Sequence, residues 1–175
     1  MTKINYFILL LFLTLSYNSF GQNNCGVTVD TIKILLDENL DTFLSDLQSE
    51  SFQSYTDKKK LPAFIKQQLD CLTKDKFSLA NPNEDYRCCC TSSGKLPSRK
   101  LLFFSTSKDI FLITYLTGGI GISTSILMFK FQGDRIIDLW TGYGFPEFKS
   151  KDDVIKHIKL KRKKEFGLHS NFISI

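Results

Sequence analysis

Between Thr28 and Ser49, the apolar residues Ile32, Leu35, Leu36, Leu40, Phe43, Leu44 and Leu47 recur at three- and four-residue steps. That spacing predicts one continuous amphipathic helix. Thr28 or Asp30 can cap its start, and Asp37, Glu38, Asp41 and Asp46 make its other face acidic. The apolar stripe needs a cover, and a sheet is the expected one. Glu50 to Lys60 is polar and reads as a loop. Pro62 suits the first turn of a second helix running to about Leu72, with Phe64, Ile65, Leu69 and Leu72 on its apolar face.

From Lys100 the period changes. Runs over 100–107, 110–116, 122–131 and 135–143 are rich in Ile, Phe, Thr and Tyr and are broken by Gly- and Asp-containing turns. They predict an antiparallel meander of four strands, or five at most. Within 110–116, apolar residues point both ways, whereas a sheet with one wet face alternates apolar and polar. This sheet is therefore expected to be covered on both faces, by helices on either side, by curling around a pocket, or by a partner. Ser150 to Phe166 reads as a last helix, with Ser150 as N-cap, Asp152 and Asp153 in the first turn and Gly167 beyond its end. The expected class is α+β: N-terminal helices packed on a four- to five-stranded antiparallel meander, with a basic C-terminal helix.

The N-terminus changes the setting. Lys3 precedes a ten-residue apolar run, Tyr6 to Leu15, and small residues stand at Ser19 and Gly21. This is the pattern of a cleaved secretory signal peptide over 1–21, since a membrane span needs about 20 apolar residues. Lipid attachment at Cys25 would need a small residue before it, and Asn24 stands there. The expected product is one domain, 22–175, in the periplasm or outside the cell, with no later run apolar enough to span a membrane.

Charge is unevenly placed. The leader holds one Lys and no acid, which leaves 22 basic against 18 acidic residues and a net +4. Between Lys149 and Glu165, eight Lys/Arg face three acids, so the excess sits in that segment. Lys159, Lys161, Arg162, Lys163 and Lys164 are candidates for binding polyanions. Export and the lack of aromatics among the lysines argue against nucleic acid. Two plainer expectations are a solvated face and a basic helix lying against the acidic N-terminal one.

In an exported chain the five cysteines, 25, 71, 88, 89 and 90, are expected to pair. If the triplet is extended, Cys88 and Cys90 point together and Cys89 opposite. Neighbours along a chain bridge poorly, so Cys88 and Cys90 are expected to reach Cys71 and Cys25, leaving Cys89 over. Adjacent cysteines lack the spacing of a zinc site, and no His lies near. No metal or cofactor is expected.

Catalytic signals are weak. "TSSGK" (91–95) lacks the first Gly and the final Ser/Thr of a phosphate loop. "TGGIG" (117–121) joins two strands and reads as a hairpin turn. His157 and His169 have the setting of surface residues. Asp138 stands between Ile137 and Leu139, on the predicted face of Ile136 and Trp140. With Tyr115 it could line a ligand pocket, or it could be an edge-strand acid paired with a Lys or Arg. These features predict an exported, disulfide-stapled binding or interaction module that is not an enzyme, taking a small ligand or protein at Tyr115, Asp138 and Trp140. The alternatives are an envelope surface-association protein using the basic helix, and an enzyme with a sheet pocket.

Overall fold

The computed structural model describes residues 30–73, 76–88, 95–118, 121–144 and 147–162. The leader and Cys25 lie outside them. The predicted first helix is two helices, α1 (Thr31–Leu35) and α2 (Leu40–Ser49). The break is a left-handed cap. Asp37 takes φ 57°, its N–H donates to Ile34 and the Glu38 N–H donates to Lys33, which satisfies the last carbonyls of α1. The change of direction redistributes the apolar stripe. Ile34 and Leu40 are buried, while Ile32 and Leu36, expected inside, face solvent.

The chain continues through β1 (Gln53–Tyr55), a short 3-10 turn (Lys58–Lys60), α3 (Ala63–Leu72), β2 (Leu79–Ala80), β3 (Arg99–Thr106), β4 (Ile110–Thr117), β5 (Ser123–Gln132), β6 (Arg135–Gly144) and α4 (Lys151–Lys161). The predicted meander is β3 to β6. The sheet has six strands, because β1 and β2 lie end to end along the outer edge of β3. β2 pairs parallel; every other pairing is antiparallel. Strands of three and two residues carry no periodicity of their own, which is why a loop was expected at 50–60.

Both faces of the sheet are buried along β4 and β5. On one, Tyr55, Phe104, Phe111 and Phe129 form an aromatic row across four strands, with successive ring centroids 5.1, 5.6 and 6.1 Å apart. Each such pair adds about 0.5–1.5 kcal/mol beyond burial. Phe64 of α3 meets Phe131 edge-on, and Phe77 meets Tyr115 in the same way. On the other face lie Leu112, Met128 and Trp140, joined by register. Here α1 and α2 reach the sheet through Lys33–Asp138 and Lys130–Asp46 ion pairs, at 3.0 and 3.1 Å.

One glycine of "TGGIG" has a role that a hairpin turn does not explain. A Cβ on Gly118 would stand 2.0 Å from the Arg87 carbonyl oxygen, so the Arg87–Cys88 backbone packs directly on the end of β4. The Arg87 N–H donates to Pro97 at 2.9 Å, closing the base of the segment that carries the cysteine triplet.

Candidate functional site

The three residues predicted to line a sheet pocket do not converge. Tyr115 pairs with Ser125, which pairs in turn with Tyr143, whereas Trp140 pairs with Met128, which pairs in turn with Leu112. Side chains alternate along strands, so Tyr115 lies on the face opposite Trp140. Asp138 pairs with Lys130 and shares the face of Trp140, but the register slips by one residue between Lys130 and Phe131. That slip pairs Ile136 with Phe131 and takes it to the other face, away from Asp138, contrary to the alternation expected of a regular strand.

Each of the three is engaged within the fold. β6 is the edge strand, and Asp138 sits there as an ion-paired acid. Lys33 Nζ donates to both of its carboxylate oxygens at 3.0 and 3.1 Å, and Asn39 Nδ2 donates to Oδ1 at 2.8 Å. The same Asn39 amide donates to the Leu139 carbonyl at 3.0 Å. Asn39 thus fills an outward-facing acceptor of the edge strand, where another strand would otherwise bind. Asn39 precedes α2 but does not cap it through its side chain, which is directed to β6 instead. Trp140 is fully buried, and its indole N–H donates to Asp37 at 3.0 Å.

Tyr115 is fully buried too, with the Ser125 hydroxyl and the Arg99 guanidinium as the polar groups nearest its own hydroxyl. Burial pushes its pKa up, against the opposing influence of the nearby Arg99 cation. The Arg99 guanidinium lies 4.6 Å from the Phe77 ring centre and 6.0 Å from that of Tyr115. These groups make an aromatic-lined end of the core on that face.

The basic segment is arranged differently. Ser150 caps α4 by accepting from the Asp153 N–H at 3.2 Å, and the Asp153 carboxylate accepts from the Lys149 N–H at 3.0 Å. Hydrogen bonds to the Asp153 carboxylate, that from the Lys149 N–H foremost and those from Ser150 after it, hold this carboxyl below its ordinary pKa. Val154, Ile155 and Ile158 are buried. The flank toward α2 is paired: Arg162 makes a two-pronged contact with Asp41, Lys159 donates to Gln48 Oε1 at 3.2 Å, and Lys151 donates to the Leu47 carbonyl. Hydrogen bonding to Arg162 lowers the Asp41 pKa, and the Asp41 carboxylate raises that of Arg162. Of the predicted polyanion residues, Arg162 is therefore turned to an internal partner, Lys159 and Lys161 remain exposed, and Lys163 and Lys164 lie outside the described residues.

The outward flank of α4 contains two residues that the charge run alone did not single out. Lys156 and Leu160, four apart and hence neighbours on one helical face, are both exposed, Leu160 by 58%. They form the ridge between two open clefts. One, of about 480 Å³, is lined by Gln48, Lys151, Lys156 and Lys159 among others. The other, of about 380 Å³, includes Phe148, Lys149, Lys156 and His157. His157 is half-buried edge-on against Phe148, at 5.1 Å, and burial, with a smaller influence from Lys161, lowers its pKa. The signal that would have found this ridge is the phase of Lys156 and Leu160 relative to Val154 and Ile158.

Among the cysteines, Cys71 stands in the last turn of α3, half-buried. Cys88 is exposed and lies outside any strand, so the strand alternation expected at that position does not apply to it. Cys25, Cys89 and Cys90 fall outside the described residues. Among the described residues, no group of three His, Cys, Asp or Glu side chains could hold a metal ion, and no helix is long and apolar enough to cross a membrane. Comparison of the chain with protein-family models, with curated proteins and with solved structures finds no match.

Proposed function

We propose that this chain is an exported, non-catalytic binding module that attaches to anionic components of the cell envelope through the outward face of α4. The observation that carries this reading is the ridge of Lys156 and Leu160, exposed between two lysine-lined clefts. A pocket at Tyr115, Asp138 and Trp140 is the weaker reading, since those residues are divided between the two faces and engaged in the core. The domain is taken to be residues 22–175 after removal of a 1–21 signal peptide, with α4 packed beside the N-terminal helices over the sheet.

Disulfide stapling belongs to the same proposal. The reading is supported by Cys71, half-buried in the last turn of α3, in a chain read as exported. It is also supported by the close seating of Arg87–Cys88 on Gly118, which places Cys88 at the end of β4. A bridge of this kind stabilises a small exported domain by about 2–4 kcal/mol.

The test is retention on immobilised heparin, a soluble polyanion probe that contains no lipid. The proposal expects salt-sensitive retention that Lys156→Glu and Lys159→Glu together abolish. Retention unchanged by that double substitution would refute the assignment to α4, and no retention of the wild-type chain would refute anion binding itself.

A further inference from the structure

The apolar tip of the ridge separates two kinds of anionic partner. A polysaccharide or nucleic-acid-like polyanion needs cations alone and offers little apolar surface to take an exposed leucine out of water. A bilayer surface offers both phosphates and, a few Å deeper, an apolar layer. We propose, resting on the reading of α4 above, that its partner is an anionic lipid bilayer. Leu160 enters the headgroup–acyl boundary while a lipid phosphate seats in the flanking cleft that carries Lys151, Lys156 and Lys159.

Three features support this. Leu160 is 58% exposed on a helix whose other large apolar residues, Val154, Ile155 and Ile158, are all buried, so it is not part of the packing stripe. Both clefts share Lys156 and Leu160; one adds Lys151 and Lys159 against a single acid, Asp152, and the other adds Lys149 against Glu147 and Asp153, so the cationic excess lies in the cleft toward α2. A cation-rich cleft therefore lies beside the apolar tip, which is the arrangement that an anionic headgroup next to an inserted side chain requires. Finally, Asp153, an acid of the first turn that would repel the surface, is turned to the Lys149 N–H and the Ser150 cap, and the Arg162–Asp41 pair fixes the other end of the helix against α2. The helix is thus held rigid with its Lys156–Leu160 face outward.

The experiment is co-sedimentation of the full chain, after its natural processing, with vesicles of phosphatidylglycerol in phosphatidylcholine, with heparin retention run in parallel. Leu160→Ser should lower vesicle partitioning roughly tenfold, as expected for losing one buried leucine, and leave heparin retention unchanged. Leu160→Phe should keep or improve partitioning. Lys156→Gln and Lys159→Gln should each weaken both measurements, by about fivefold on the vesicles. The residue is exposed, so an unchanged circular dichroism spectrum of Leu160→Ser is expected and confirms that folding is intact. Vesicle binding by Leu160→Ser equal to wild type would overturn insertion while leaving polyanion binding intact. Equal binding to pure phosphatidylcholine would overturn anionic selectivity. Heparin retention without vesicle binding would assign the face to a soluble or polysaccharide polyanion instead, and absence of both would remove the underlying reading as well.

Discussion

The indole N–H of Trp140 donates to the carboxylate of Asp37 at 3.0 Å, so the only tryptophan of the chain is tied to the one described non-glycine residue with positive φ. With the Lys33 and Asn39 contacts to β6, this bond holds the α1–α2 break over that strand. Asp37→Asn keeps an acceptor and tolerates the left-handed backbone, and should be close to wild type. Asp37→Ala removes this acceptor from a buried indole and adds backbone strain, and should cost about 1–3 kcal/mol. Urea denaturation distinguishes the two. Equal losses from both would show that the bond is unimportant.

Gly142 sits two residues beyond Trp140 on the same strand face. A Cβ there would stand 2.4 Å from the indole Cη2 of a ring with no free volume around it. Gly142→Ala should destabilise the chain by about 1–3 kcal/mol through overpacking. Gly121→Ala, where a Cβ meets nothing within 4 Å, is the control and should be neutral.

Asp138 gathers Lys33 and Asn39 at the edge of β6. Asp138→Ala should cost about 1–3 kcal/mol, because the buried Asn39 amide and the strand edge lose a partner. Lys33→Ala, removing one partly exposed member of the pair, should cost less than about 1 kcal/mol. Thermal melts of the two variants should rank in that order. A larger loss for Lys33→Ala would show that the ion pair, and not the Asn39 link, holds α1 to the sheet.

The Arg162–Asp41 pair gives a pH dependence. Its hydrogen bond lowers the folded-state pKa of Asp41 below the ordinary carboxylate value of 3.8. The folded state then binds that proton less readily than the unfolded one, so the pair's stabilisation is fully present above that value and is lost as pH falls through the lowered folded pKa. Urea midpoints measured from pH 6 down to about pH 2.5 should fall more steeply for wild type than for Arg162→Gln. Parallel curves would show that the pair is absent in solution.

The parts of this fold that repeat were legible in the sequence. The four long strands announced themselves by β-rich runs between turns, and their two-sided apolar character pointed to a sheet covered on both faces. α3 followed from Pro62 and its apolar spacing. What was not legible depends on single residues or distant partners. The break at Asp37 is a left-handed cap on a residue that also suits a helix surface, so the periodicity of 32–47 passed through it. β1 and β2 are too short to carry a pattern. The slip near Phe131 reversed Ile136 relative to Asp138. Asp138 looked pocket-like because Ile137 and Leu139 flank it, and only the folded chain brings Lys33 and Asn39 to it across about a hundred residues. For the basic segment, composition marked the region, but a distant partner, Asp41, decides that Arg162 is turned inward.

The most direct test of the account is the salt dependence of binding to phosphatidylglycerol-containing vesicles, compared between the wild-type chain and Lys156→Glu/Lys159→Glu. The account predicts wild-type binding that weakens steadily as NaCl rises, and a double variant that does not bind at any salt. Binding by the double variant with the wild-type salt response would contradict it.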